Sequence, residues 1–149
     1  MDEIITPDQC YENFTSGINC CMTVFGECAA ALGFSREDAY KIGSGFGGGM
    51  GISGTCGCVT GALMALGLKY GVSGPGQAEK EAEYKEKRKE YYKAFMDKVG
   101  TYNCTEILEN LNPADPAEKA MIIEKGLMRS KCAEIAAFAV ETLAEIMDI

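Results

Sequence analysis

Eight cysteines and no histidine are found in this chain of 149 residues. They are Cys10, Cys20, Cys21, Cys28, Cys56, Cys58, Cys104 and Cys132. Without imidazole there is no His-ligated zinc, no His-ligated haem and no His-based acid–base catalysis. A metal held here would be held by thiolates, which suit zinc, Cu(I) and iron–sulfur clusters. No C-x-x-C occurs, so the spacings of thioredoxins and bacterial ferredoxins are absent. The thiols Cys20-Cys21, Cys56-x-Cys58, Cys104 and Cys132 lie far apart in the chain, and only a fold can bring them together.

The elements that would position them read as almost entirely helical. Apolar positions at helical spacing predict a helix from about Asn13 to Leu32, with Gly33 as its stop. Ser35 followed by Asp38 predicts an N-cap and first-turn acid for a short helix ending near Ile42. "GSGFGGGMGISG" then places seven glycines in twelve residues. Phe46, Met50 and Ile52 within it argue for an ordered loop rather than a solvated linker. A helix is predicted from near Thr55 to Tyr70, with Gly57, Gly61 and Ala65 forming one smooth face that admits a close neighbour. Ala78 to Val99 reads as a long charged helix. It carries favourable Glu81–Lys85 and Glu83–Lys87 pairs and a late core stripe of Tyr92, Phe95 or Met96, and Val99. Shorter helices are expected from near Thr105, over Ala117–Lys125 and over Ser130–Met147, with Pro113 and Pro116 interrupting. The expected architecture is an all-α single-domain helical bundle over 1–149, with a glycine-rich loop before a central helix.

Two features favour convergence of the thiols in such a bundle. Cys56, Cys104 in "TYNC" and Cys132 in "RSKC" each stand beside a predicted helix start, where free N–H groups and the dipole favour a thiolate. Glycines precede Cys56, and only glycine lets backbone N–H groups come close to an anionic group. Gly47, Gly48, Gly49 and Gly57 are therefore the candidates for close approach to a cofactor. At least one of Gly47, Gly48 and Gly49 is expected at positive φ. Cys28 reads as a packing residue and Cys10 as incidental to an irregular terminus. Cys21 reads equally as packing residue or ligand. "GFGGGMG" lacks the strand before it and the Lys-Ser/Thr after it that a phosphate loop needs.

The net charge of −8 argues against nucleic acid as a partner, since phosphate binding needs clustered cations. Half of the fourteen Lys and Arg lie between Lys80 and Lys98, but acids are interleaved there. No run approaches the roughly 18 apolar residues of a membrane span. "MDEIITPDQC" carries neither a basic nor an apolar export region. A cytoplasmic protein is expected, with its thiols kept reduced.

The segments "GINC", "SGFGGGMG", "TCGCVTGALMALGLKYG", "GTYNCTEIL" and "RSKCAEI" resemble the redox-active C_GCAxxG_C_C family, over about Phe14 to Val140. The resemblance implies redox activity and an iron–sulfur cluster, and it places the family's four recurrent cysteines on Cys20, Cys56, Cys104 and Cys132. A related module accompanies haem in split-Soret cytochromes. One departure stands out: where the family often has Cys-Gly-Ala, this chain has Cys56-Gly57-Cys58. Cys58 is then a small-residue replacement or an added ligand, and Cys21 raises the same alternative.

The leading expectation is a protein that binds a 2Fe–2S or 4Fe–4S cluster through Cys20, Cys56, Cys104 and Cys132 and exchanges electrons with a partner oxidoreductase. Cys21 and Cys58 as further ligands would allow a larger cluster. The alternatives are a thiol–disulfide redox enzyme, with Cys56 attacking and Cys20 or Cys58 resolving, and a structural four-cysteine zinc module. A homodimer is also expected, because two-fold dimers are the commonest oligomers. The Gly57–Gly61–Ala65 face would serve equally within one chain or between two.

Overall fold

The computed structural model describes residues 1–149. The helices in chain order are α1 (Pro7–Thr15), α2 (Cys20–Ala31), α3 (Arg36–Gly43), α4 (Gly57–Tyr70), α5 (Ala78–Val99), α6 (Cys104–Ile107), α7 (Pro116–Glu124) and α8 (Glu134–Met147). One π-helical segment adds to them, Met128–Ala133 running into α8, while Gly49–Ser53 before α4 is a tight non-helical turn with left-handed residues. The only strand-like pairing is one antiparallel bridge between Thr55 and Asn103. The chain is an all-α single domain, and no helix is long and apolar enough to cross a membrane.

The helix starts follow from their capping residues. Thr6 and Gln9 form a reciprocal capping box ahead of Pro7 at the first position of α1. Ser35 accepts a bond from Asp38 N–H, and Asp115 caps α7 through Glu118 N–H. The single helix expected over Asn13–Leu32 is two helices. Gly17 takes φ 96°, and Asn19 accepts a bond from Met22 N–H at 2.9 Å, which makes Cys20 the first residue of a new helix. Periodicity missed this break because apolar spacing continues across it, whereas the cap is a local polar event.

The core lies between α2, α4, α5 and α8, with α3 against α2 and α1 against α8. Val24, Leu66, Phe95, Val140 and Leu143 are fully buried in it, each contributing about 1.5–3 kcal/mol of hydrophobic stabilisation. The small residues of α4 set the closest approach. A Cβ on Gly61 would stand 2.9 Å from the Cys21 carbonyl oxygen of α2. The smooth face of α4 is thus used inside the chain, against α2.

Two sequence expectations on α5 need correction. Its buried residues are Tyr91 and Phe95, while Met96 is exposed and Tyr92 only half-buried. The i, i+4 phase of the stripe starts one residue earlier than predicted because Tyr91 reaches the Cys58 carbonyl. The Glu81–Lys85 pair forms at 3.1 Å. The Glu83–Lys87 pair does not form. Lys87 turns instead to the Tyr70 ring, 5.4 Å from its centroid, and to the Ile146 carbonyl.

Candidate redox centre

The starts of α2, α4 and α6 and the π-helical segment Met128–Ala133 surround a cavity of about 410 Å³. Five of the eight thiols line it: Cys20, Cys56, Cys58, Cys104 and Cys132. Gly47, Gly48, Gly51 and Gly57 line it as well. Its apolar wall includes Phe14, Ile107, Ile122 and Met128, and Lys119 is the one charged residue on its lining.

Local structure places three of these thiols at helix starts. Cys20 follows the Asn19 cap and Cys104 follows the Asn103 cap, whose side chain accepts a bond from Glu106 N–H at 3.1 Å. Cys56 is itself the cap of α4, its sulfur accepting from Cys58 N–H at 3.4 Å. The expected helix start at Cys132 is not there. Cys132 lies inside the π-helical segment, whose widened turn is continuous with α8. Sequence periodicity does not distinguish a π turn from the α-helix it joins.

Backbone pairing holds Cys56 and Cys104 together. Cys56 N–H donates to the Tyr102 carbonyl at 2.8 Å, and Cys104 N–H donates to the Gly54 carbonyl at 2.7 Å. The Ser53 and Thr105 hydroxyls hydrogen-bond to each other, and Thr105 also donates to the Ser53 carbonyl at 3.0 Å. Behind the site, Tyr91 donates to the Cys58 carbonyl at 2.8 Å. Burial pushes the Tyr91 phenol well above its usual range, so it stays protonated.

The glycine loop closes over the start of α2. Gly48 and Gly49 sit at φ 63° and 64°, Met50 and Gly51 continue in the same left-handed region, and Ser53 returns to it at φ 55°. A Cβ on Gly47 would overlap the Asn19 side chain, whose amide donates to the Ser44 carbonyl at 3.1 Å. Gly49 does not line the cavity. It lets the loop fold back on itself, accepting a bond from Gly54 N–H at 2.9 Å.

Cys20 is the sulfur most surrounded by donors. Its thiol is lowered to about 7, first by a hydrogen bond with Cys58, and then, against the opposing effect of burial, by the N–H groups of Gly48, Cys21 and Gly57. A Cβ on Gly57 would collide with the Cys20 sulfur, so glycine here is a condition of the approach. Cys58 is fully buried and within hydrogen-bonding reach of both Cys20 and Cys56, which raises its thiol strongly. Burial pushes Cys104 up to about 12, with the neighbouring Cys56 and Cys20 adding to it. Cys132 is raised by burial and then by Cys20, Cys56 and Cys104.

The remaining cysteines lie elsewhere. Cys21 is turned into the α2–α4 interface, its sulfur 3.9 Å from Met64 Sδ and hydrogen-bonded by Thr60, and it is absent from the cavity wall. Cys28 is fully buried in the core. Cys10 is not at an irregular terminus but is the fully buried residue of the regular helix α1. Sequence reasoning missed Asn19, Asn103 and Tyr91. The first two had a signal, the dipeptide Asn-Cys occurring in both "GINC" and "TYNC".

A family model described as "Putative redox-active protein (C_GCAxxG_C_C)" matches residues 18–146, which takes in every thiol on the cavity wall. No match was found among curated proteins or among solved structures. The match spans nearly the whole chain, and the protein belongs to the C_GCAxxG_C_C family of redox-active proteins.

Proposed function

We propose that this chain is an iron–sulfur redox protein that holds a 2Fe–2S or 4Fe–4S cluster through Cys20, Cys56, Cys104 and Cys132 and exchanges electrons with a partner oxidoreductase. The observation that carries the reading is the cavity itself, about 410 Å³ with thiols from four separate segments on its wall. The donor set fits an anionic cluster: thiolate ligands, backbone N–H groups directed at one of the sulfurs, and an otherwise largely apolar lining. The cluster, when bound, would supply the one-electron redox change.

The chain's own residues have distinct tasks in this reading. Cys20, Cys56, Cys104 and Cys132 hold the cofactor. Gly48 and Gly57 present N–H groups at Cys20 sulfur, and hydrogen bonds to ligand sulfur raise a centre's potential. Phe14, Ile107, Ile122 and Met128 keep water from one side of the site. Cys21 packs α2 against α4.

The spacing of the thiols favours a cluster over zinc. A zinc ion draws four sulfurs to about 2.3 Å from one point. The thiols here come from four separate segments and line a cavity of about 410 Å³, more room than one ion fills. A polynuclear centre, whose inorganic core keeps its ligands apart, suits thiols that ring a cavity.

The test is anaerobic purification followed by iron, acid-labile sulfide and zinc analysis, with optical and electron paramagnetic resonance spectra. A brown protein with matching iron and sulfide is expected. A colourless protein with one zinc per chain would overturn the reading.

A further inference from the structure

We propose that Thr105 is a positioning residue of the redox centre, its hydroxyl locking the register that sends Cys56 and Cys104 into one cavity. The segments carrying these cysteines meet in a ladder one rung long, with Thr55 opposite Asn103. Two backbone bonds flank that rung, from Cys56 N–H to the Tyr102 carbonyl and from Cys104 N–H to the Gly54 carbonyl. Side chains alternate between the faces of such a ladder, so Cys56 and Cys104 leave it on one face and Thr55 and Asn103 on the other. Both cysteines line the cavity, and Thr55 and Asn103 do not. A slip of one residue would turn one cysteine to the wrong face.

Two backbone bonds are a slender hold on a register, and the backbones part just beyond them. Gly54 N–H turns back to the Gly49 carbonyl, and α6 begins at Cys104. The alignment of Thr55 with Asn103 sets Ser53 opposite Thr105, and there side chains continue the pairing. Thr105 Oγ1 donates to the Ser53 carbonyl at 3.0 Å. That uses its only proton, so Ser53 is the donor in the contact between the two hydroxyls. After a slip Thr105 would face Ile52 or Gly54, which carry no hydroxyl, so the pair reads the register. Ser53 is buried and held at φ 55°, a region that side-chain-bearing residues seldom occupy, and the hydroxyl pair fixes it there. Thr105 is absent from the cavity wall and acts through the two cysteines. The inference rests on the cluster reading only for what the positioned thiols hold.

The test compares the unaltered full chain, purified anaerobically, with Thr105→Val, Thr105→Ser and Ser53→Ala. Hydrogen exchange read by mass spectrometry follows the peptides that contain the Cys56 and Cys104 amides. Thr105→Val keeps the shape and loses the hydroxyl, and both peptides should exchange about fivefold faster, the factor that one net hydrogen bond makes. Thr105→Ser should restore the original rates. Ser53→Ala leaves the bond to the residue 53 carbonyl and should fall between, which keeps the test open if Thr105→Val folds poorly. The second readout is the electron paramagnetic resonance signal of the reduced protein with its iron content. Thr105→Val should alter the signal and lower the iron, and Thr105→Ser should recover both. Unchanged exchange, acceleration spread evenly over α2, α4 and α8, no recovery in Thr105→Ser, or a signal and iron content like those of the unaltered chain would overturn the proposal. An unaltered chain without iron sinks the cluster alone, and hydrogen exchange with the Thr105→Ser recovery then decides the role of Thr105.

Discussion

The α-carbon of Gly57 faces the sulfur of Cys20 with no room for a side chain between them. The same missing Cβ would also stand 2.9 Å from Cys21 N–H nitrogen, which hydrogen-bonds that sulfur. Gly57→Ala should therefore cost about 1–3 kcal/mol, the usual range for overpacking, and should lower iron content as well. Urea melts and iron analysis check both. Unchanged iron in a folded Gly57→Ala protein would separate this glycine from the site.

Cysteine replacements should fall into two groups. Cys20→Ser, Cys56→Ser, Cys104→Ser and Cys132→Ser should each sharply lower iron and sulfide, because an alcohol oxygen is a harder and poorer ligand than thiolate. Cys10→Ala and Cys28→Ala should retain full iron and shift stability by about 1–2 kcal/mol at most. Both side chains are fully buried in the core and away from the cavity. Full iron in the double variant Cys56→Ser, Cys104→Ser would defeat the assignment of ligands.

Removal of the cofactor should loosen the whole bundle. On the cluster reading its ligands would tie α2, α4, α6 and the segment before α8, so that binding free energy would become folding free energy. In a domain of this size about 1 kcal/mol moves Tm by roughly 2–4 °C. Thermal melts before and after chelation under oxidant should differ by more than about 5 °C on that scale. Superimposable melts would show that the cofactor does not organise the core.

The glycine loop holds two side-chain-bearing residues in the left-handed region, Met50 and Ser53. Met50 is exposed and sits at φ 63°, where a side chain costs about 1–2 kcal/mol relative to the right-handed region. Met50→Gly removes that strain but adds entropy to the unfolded chain, about 0.5–1 kcal/mol. A net gain of up to about 1 kcal/mol is expected from these terms, with iron content unchanged. The opposite change at a neighbour, Gly49→Ala, should destabilise strongly, because its Cβ would run into the backbone of Gly54. Chemical denaturation of the two variants side by side is the check.

α4 and α5 were read correctly at nearly every boundary, because glycine breaks and charge pairs bound them clearly. Cys20, Cys56, Cys104 and Cys132 were singled out by resemblance, and the structure brings them, with Cys58, to one cavity. What escaped was local and polar. Asn19 ends one helix and begins another with a single side-chain bond, which has no period to detect. Tyr91 carries the link to Cys58, while spacing pointed to Tyr92 one residue on, since both fit an amphipathic stripe. Cys132 lies on a π turn, and a hydrogen bond that spans one more residue than in an α-helix leaves no mark in residue type.

The two backbone bonds joining Gly54–Cys56 to Tyr102–Cys104 have a consequence for the order of biogenesis. Cys20, Cys56 and Cys58 lie on helices that are complete once Tyr70 has left the ribosome. The other half of the pocket exists only after the α5 excursion has been made and its return strand docks. Closing so long a segment carries a loop entropy that grows only as (3/2)RT ln n, so the delay is one of synthesis more than of energy. Cys132 comes later still, 28 residues after Cys104. On the cluster reading, insertion therefore has to wait until Cys132 has been made, and a shorter nascent chain displays an incomplete set of thiols.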